Sequence, residues 1–203
     1  MIVESNDIKT QAYERLFSLY PVYAEEMMAF HLANQSRSRM MKFRHYVFEL
    51  MQKPGDEKSV NEMARRYSGL VKKEVIDAPD VPGAKRFLNQ FFTKVPLYLS
   101  SATPQGELVE ILTARSIDRF FKDVFGDPPC AKSDAVQRVL KREKLLPGEV
   151  VFIGDSVTDL QVATSAGLTF IGRDSGLSFG RNDIEVYSDL GAIADVLQGR
   201  LES

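Results

Sequence analysis

"VVFIGDSVTDLQVATSAG", residues 150–167, decides how this chain is read. Four apolar residues run into Gly-Asp, the pattern of a buried strand that ends at Asp155. A helix follows from Val157 and closes at Gly167. Ser156 can cap that helix, and Asp159, three residues on, can complete a capping box. Asp155 has no such local explanation. An ionised carboxylate at the end of an apolar strand needs a cation or several donors. Magnesium, which takes one or two carboxylates plus waters and phosphate oxygens, would satisfy it.

Outward from this stretch, strands and helices alternate. The pattern predicts a helix over 83–92, a strand in "VPLYLSS" and a helix from Pro104, then a short strand near 124 and a helix over 132–144. After "EVVFIGD" and its helix come strand "LTFIG", a short strand near "IEVYS" and a last helix over 189–199. Such alternation implies an α/β, Rossmann-like fold, its mostly parallel sheet covered by helices on both faces. Residues 8–76 read differently, with helical spacing throughout and no strand: Ala12, Leu16, Leu19 and Tyr20 share one face, as do Met63, Tyr67, Leu70 and Val71. "DAPDVPG" (77–83) reads as the linker between the two parts.

The chain's 203 residues suffice for one or two domains with a real core. Net charge is -2, so no strong field points to nucleic acid or an anionic membrane. No apolar run approaches the ~20 residues of a membrane span, and no signal-peptide core is visible. The single cysteine, Cys130, excludes an internal disulfide and fits a reducing, cytoplasmic setting; it reads as a small packing residue. There is no zinc-spaced Cys/His cluster, no "GxxxxGK" and no "GxGxxG".

In a sheet of this kind ligands bind at the carboxyl ends of strands. "VPLYLSS" delivers Ser101 there, followed by Ala102. Thr103 can cap the next helix, with Pro104 as its first residue. The hydroxyl and free helix-start amides make an anion cradle, or simply a capped helix. Lys132, in "GDPPCAKSDAV", lies at another helix start. A cation is unfavourable there unless a phosphate lies between it and the helix; the alternative is a solvent-exposed lysine.

Taken in order, "LYLSSATP", Lys132 in "CAKSDAV" and "VVFIGDSVTDLQVATSAG" resemble the motifs of the haloacid dehalogenase superfamily of phosphatases. The helical insert resembles the cap of its phosphoglycolate-phosphatase-like branch. The resemblance covers nearly the whole chain. It implies a remnant of the core over 1–7, a helical cap over 8–78 and an α/β core over 79–203. It also implies a magnesium-dependent phosphatase of small phosphorylated metabolites, working through an aspartyl-phosphate. Ser101 and the Ala102 amide would bind phosphate oxygens, and Lys132 would neutralise charge. Asp155 would hold the metal, while Asp159 would support Lys132 and the metal's waters.

The sequence departs from the family at one point. The family's first motif, an apolar strand running into Asp-x-Asp-Gly, belongs before residue 1; residues 2–5 of "MIVESNDIKTQAY" match the family's pattern just downstream of that motif. The nucleophilic Asp is therefore expected to be missing and the chain to be inactive as given. The alternative is a non-catalytic binding or regulatory protein, or a gene fragment. The family's first strand is central, between the strands ending at Ser101 and Asp155. Without it, those strands pair directly, a segment of another copy fills the slot in a homodimer, or the slot stays open and weakens the core.

Substrate recognition is expected from "HLANQSRSRMMKFRHYVF" (31–48). Arg39 and Lys42, three apart on one helix face, can clamp a second anionic group of a sugar phosphate or phosphorylated acid. A solvated basic face is the alternative. His31 and His45 read as partly buried packing residues.

Overall fold

Period and punctuation place every element close to where the sequence implies. The structure, a computed structural model, describes residues 1–35 and 37–202. Its first part is helical: α1 (Asn6–Phe17), α2 (Ala24–Ala33), α3 (Arg39–Arg44), which continues as a π-helix over His45–Leu50, and α4 (Glu57–Asp77). Asp56 caps α4 by accepting from the Ser59 N–H at 3.0 Å. Along α4, Val60, Met63, Tyr67, Val71 and Val75 recur every three or four residues, and all are buried. They close an apolar cluster with Leu16 and Phe17 of α1 and with Phe43, Tyr46 and Val47. Burial of each such side chain contributes about 1.5–3 kcal/mol.

The second part alternates as expected. It runs α5 (Ala84–Phe91), β1 (Tyr98–Ser101), α6 (Gln105–Ala114), β2 (Asp123–Gly126), α7 (Lys132–Glu143), β3 (Val151–Gly154), α8 (Val157–Ala166), β4 (Thr169–Arg173), β5 (Glu185–Tyr187) and α9 (Leu190–Glu202). The strands are shorter than their apolar runs. Alternate strand residues enter different clusters. Leu99, Ile153 and Ile171 pack with α5 and α9, whereas Phe152 and Phe170 pack with Val136 of α7 and Ala163 of α8. That period of two places helices on both faces. Helix α6 starts at Gln105 with Pro104 as its cap, one residue later than Thr103 and Pro104 suggest. The Thr103 carbonyl accepts from the Asp127 N–H at 3.1 Å, which holds it outside the helix.

The two parts join through paired backbone segments. Val3 bridges Asp80 antiparallel. The Glu4 N–H donates to the Pro79 carbonyl at 3.0 Å, and the Val81 N–H to the Ile2 carbonyl at 2.9 Å. Arg115, just after α6, donates to the carbonyls of Val75 at 3.2 Å and Ala78 at 2.8 Å, and pairs with Asp80.

The strands form two sheets. β1 and β2 pair in parallel, with Tyr98 opposite Asp123 and Ser101 opposite Gly126. β3, β4 and β5 make a second parallel sheet, with Gly154 opposite Gly172. The direct pairing of β1 with β3, one of the three expected outcomes, does not occur. A cavity of about 830 Å³ separates them, walled by Leu97 and Leu99 on one side and Val151 and Ile153 on the other. Phe91 of α5 and Val139 of α7 also line it. Strands pair only at about 4.8 Å, and β1 and β3 share no ladder across the cavity. Within this chain no described strand fills the slot. Ser100 Oγ on β1 is buried without a hydrogen-bond partner among the described residues.

Candidate active site

At the carboxyl ends of β1 and β3, Ser101, Ala102, Lys132, Asp155 and Asp159 all line the cavity. Three segments distant in sequence thus meet at one place. Ser101 Oγ accepts from the Thr103 N–H at 3.1 Å, which folds the 101–103 turn onto the strand end. The Asp127 N–H donates to the Ser101 carbonyl at 3.0 Å, fixing that turn from the far side. Lys132 opens α7, as its sequence context suggests.

Asp159 meets the Ser156 cap and pairs with Lys132, but its carboxylate accepts from the Asp155 N–H where a capping box would use the Ser156 N–H. Ser156 caps α8 by accepting from the Asp159 N–H at 3.2 Å. The Asp159 carboxylate accepts from the Ser156 hydroxyl at 2.7 Å and from the Asp155 N–H at 3.2 Å. Its other oxygen pairs with the Lys132 ammonium. Asp159 is 3% exposed, and three donors offset the cost of that burial. Lys132 is consequently not the solvent-exposed lysine of the alternative reading: Asp159 draws it into the site.

Gly154 makes this possible. A Cβ built there would lie 2.3 Å from Asp159 Cβ and 2.8 Å from its Cγ. Gly154→Ala is expected to push Asp159 off Lys132 and to cost about 1–3 kcal/mol through overpacking. Chemical denaturation should report that loss. A stability within 0.3 kcal/mol of the parent, roughly the error of such a difference, would show that Asp159 has room to retreat.

Asp155 lies at the cavity edge, 2.8 Å from the Met1 α-ammonium. Burial pushes its carboxyl up, but the Met1 ammonium, Lys132 and Lys9 outweigh burial and hold it below the ordinary carboxylate range. Among the described residues no three His, Cys, Asp or Glu side chains converge on one point. The ammonium is a stand-in cation, and it shows that Asp155 presents a hard oxygen to positive charge. One such carboxylate, with waters and phosphate oxygens, fits magnesium. Asp159, with three donors already, is better suited to hold Lys132.

The cap residues are placed differently from a solvated basic face. Arg39 and Lys42 are 6% and 2% exposed, which overturns that alternative. Arg39 makes a two-point ion pair with Glu107 of α6, both contacts at 2.8 Å, and donates to Ser68 Oγ at 2.9 Å. It therefore fastens α3 to α6. Lys42 donates to His31 Nδ1 at 3.2 Å and to the Gln35 carbonyl at 3.1 Å, and it lines the cavity. His31 and His45 pack as expected, His31 against Tyr13 and His45 stacked on Phe30 at 3.7 Å. Cys130 is buried against Phe125 and Val139.

Two site features escaped the sequence reading. Lys9 of α1 lines the cavity, yet "NDIKTQAY" gives it no more weight than any helical lysine. Glu107 is an ordinary first-turn carboxylate until Arg39, 68 residues away, reaches it.

Comparison with known proteins gives the family. The family model "Haloacid dehalogenase-like hydrolase" matches residues 1–173, and the chain belongs to that family. A phosphorylated carbohydrates phosphatase from Thermotoga maritima is 32% identical over 143 residues, 68% of this chain and 62% of that protein. The phosphoglycolate phosphatase of Escherichia coli K12 is 29% identical over 90 residues, 42% of this chain and 36% of that protein. These relatives place the chain in the phosphoglycolate-phosphatase-like branch, and it matches less than two thirds of either one's length. The crystal structure of Bacillus subtilis YfnB, bound to magnesium, superposes with a TM-score of 0.69 at 15% identity, covering 98% of this chain and 94% of that one. That likeness is one of fold. No helix among the described residues is long and apolar enough to cross a membrane.

Proposed function

We propose that the chain carries the phosphate- and metal-holding half of a magnesium-dependent phosphomonoester hydrolase site for small phosphorylated metabolites, in the cytoplasm. One observation supports this most: Ser101, Ala102, Lys132, Asp155 and Asp159 line a single cavity at the carboxyl ends of parallel strands. Ser101 and the Ala102 amide bind phosphate oxygens. Lys132, oriented by Asp159, neutralises charge on the phosphoryl group. Asp155 would hold magnesium, which supplies Lewis-acid stabilisation of the phosphoryl oxygens when bound. In the mechanism the family implies, a carboxylate attacks phosphorus, the ester P–O bond breaks and the alcohol leaves with a proton. Water then releases orthophosphate and regenerates the carboxylate.

The attacking group is the unfilled part of this reading. Asp155, Asp159 and Glu149 are the carboxylates among the described residues that line the cavity. Asp155 is engaged by an ammonium and Asp159 by Lys132. These engagements favour a second reading, that of a phosphate-binding protein without turnover. The chain alone, with magnesium and p-nitrophenyl phosphate, is expected to release no nitrophenol above background. It is expected to bind inorganic phosphate, with Lys132→Met weakening that binding at least tenfold in calorimetric titration. Turnover that Asp155→Ala abolishes would overturn the first expectation. Phosphate binding indifferent to Lys132→Met would remove the site altogether.

A further inference from the structure

Resting on the phosphate site above, we propose that Gln105 is a positioning residue for it: its side chain holds the Ser101–Ala102 turn in register with the loop that leads to Lys132. Gln105 opens α6 and stands just behind that turn. Its carboxamide reaches β2. There Oε1 accepts from the Gly126 N–H at 2.6 Å, and Nε2 donates to the Val124 carbonyl at 3.1 Å. A residue on a neighbouring parallel strand bonds in the same way, to the residues before and after the one it faces. The carboxamide thus adds one strand-like rung to β2.

Backbone contacts continue the stitch. The Gln105 N–H donates to the Pro128 carbonyl at 3.0 Å. The Asp127 N–H donates to the carbonyls of Ser101 at 3.0 Å and Thr103 at 3.1 Å. The Cys130 N–H returns to the Gly126 carbonyl at 2.9 Å, just before Lys132. Gly126 lets the two segments meet. A Cβ there would lie 2.5 Å from Gln105 N and Cα and 2.6 Å from the Thr103 carbonyl oxygen, backbone atoms that cannot easily retreat. Gly126 is buried, so its N–H needs a partner within the protein, and the carboxamide supplies one. On its other side β1 meets the cavity, with no ladder to β3. The position of Ser101 is therefore set from the β2 side. A phosphate held jointly by the turn and by Lys132 depends on their spacing, because hydrogen bonds weaken steeply once geometry is lost.

The test is calorimetric titration of the chain with inorganic phosphate in magnesium buffer. Gln105→Met keeps the length of the side chain and removes both of its hydrogen bonds. It is expected to weaken phosphate binding about fivefold or more. In the Lys132→Met background the same substitution should weaken binding less than about twofold, because no spacing to Lys132 is left to keep. A merely structural role would weaken both backgrounds alike. A second measurement is read on the unaltered chain. Hydrogen exchange followed amide by amide should show saturating phosphate slowing the Gly126 and Asp127 amides about threefold or more, while the Val186 amide of β5 keeps its rate. A loss below fivefold in Gln105→Met, or an equal loss in both backgrounds, would overturn the proposal. Should that variant fail to fold, the exchange result decides, and Gly126 and Asp127 amides indifferent to phosphate would overturn it. If the unaltered chain binds no phosphate, the phosphate site itself falls, and the role of Gln105 with it.

Discussion

A C-terminally amidated peptide with five or six apolar residues leading into Asp-x-Asp-Gly is expected to switch on magnesium-dependent phosphate release when mixed with this chain. The slot between β1 and β3 lies between two strands that have no ladder to each other, and apolar side chains line it. An inserted strand would gain backbone hydrogen bonds worth about 1 kcal/mol each and bury five apolar side chains at about 1.5–3 kcal/mol each. Association and ordering cost roughly 4–15 kcal/mol, so micromolar binding is the expectation. The Met1 ammonium already lies at the carboxyl end of the slot beside Asp155. A strand ending there would bring its carboxylate to the cavity shared by Lys132 and Ser101. In the mechanism proposed above such a nucleophile contributes on the order of 10⁴ to 10⁶ in rate, and a gain of at least about 10³ is expected here. The same peptide with its first Asp replaced by Asn should raise the thermal midpoint equally and give no turnover. A peptide that changes neither midpoint nor rate would show that the slot does not accept a strand.

Arg39→Met is expected to destabilise the protein by about 3–5 kcal/mol, the range for removing one member of a buried ion pair. The Arg39 and Glu107 side chains are 7% and 8% exposed, so solvent screens the pair little. Removing the guanidinium leaves the Glu107 carboxylate with Ser68 Oγ at 2.6 Å as its remaining partner. Adding Glu107→Leu should recover most of the loss, because an apolar replacement of both partners is often neutral or stabilising. Denaturant unfolding of the two single variants and the double variant measures this directly. A single-variant loss below about 1 kcal/mol, the range of exposed pairs, would mean that α3 and α6 separate readily and admit water.

Much of this was readable in the sequence because the signals are local. The strand-Gly-Asp-Ser run fixed β3, the Ser156 cap and the start of α8 within one short segment. Lys132 and Ser101 each announced a strand end or helix start from their neighbours. The all-helical reading of the cap came from its spacing. What stayed hidden depends on distance in the chain. Arg39 reads as a candidate ligand from its spacing to Lys42, and it lines the cavity; Glu107, its ion-pair partner, arrives only when α6 packs against α4. Lys9 reaches the cavity only once α1 packs against α2 and α4. The outcome at the slot was open among three geometries, since strand spacing depends on how helices on both faces pack.

The divided sheet also changes how the two walls of the pocket communicate. Since β1–β2 and β3–β5 share no ladder, the backbone offers no direct route for a shift at Ser101 to be felt at Asp155. Besides the apolar packing of Leu99 and Ile153 with α5 and α9, a polar link in the pocket is the contact of Lys132 on α7 with Asp159 on α8. One charge pair thus acts as a rivet between two plates, and loosening it would let each plate breathe to its own rhythm.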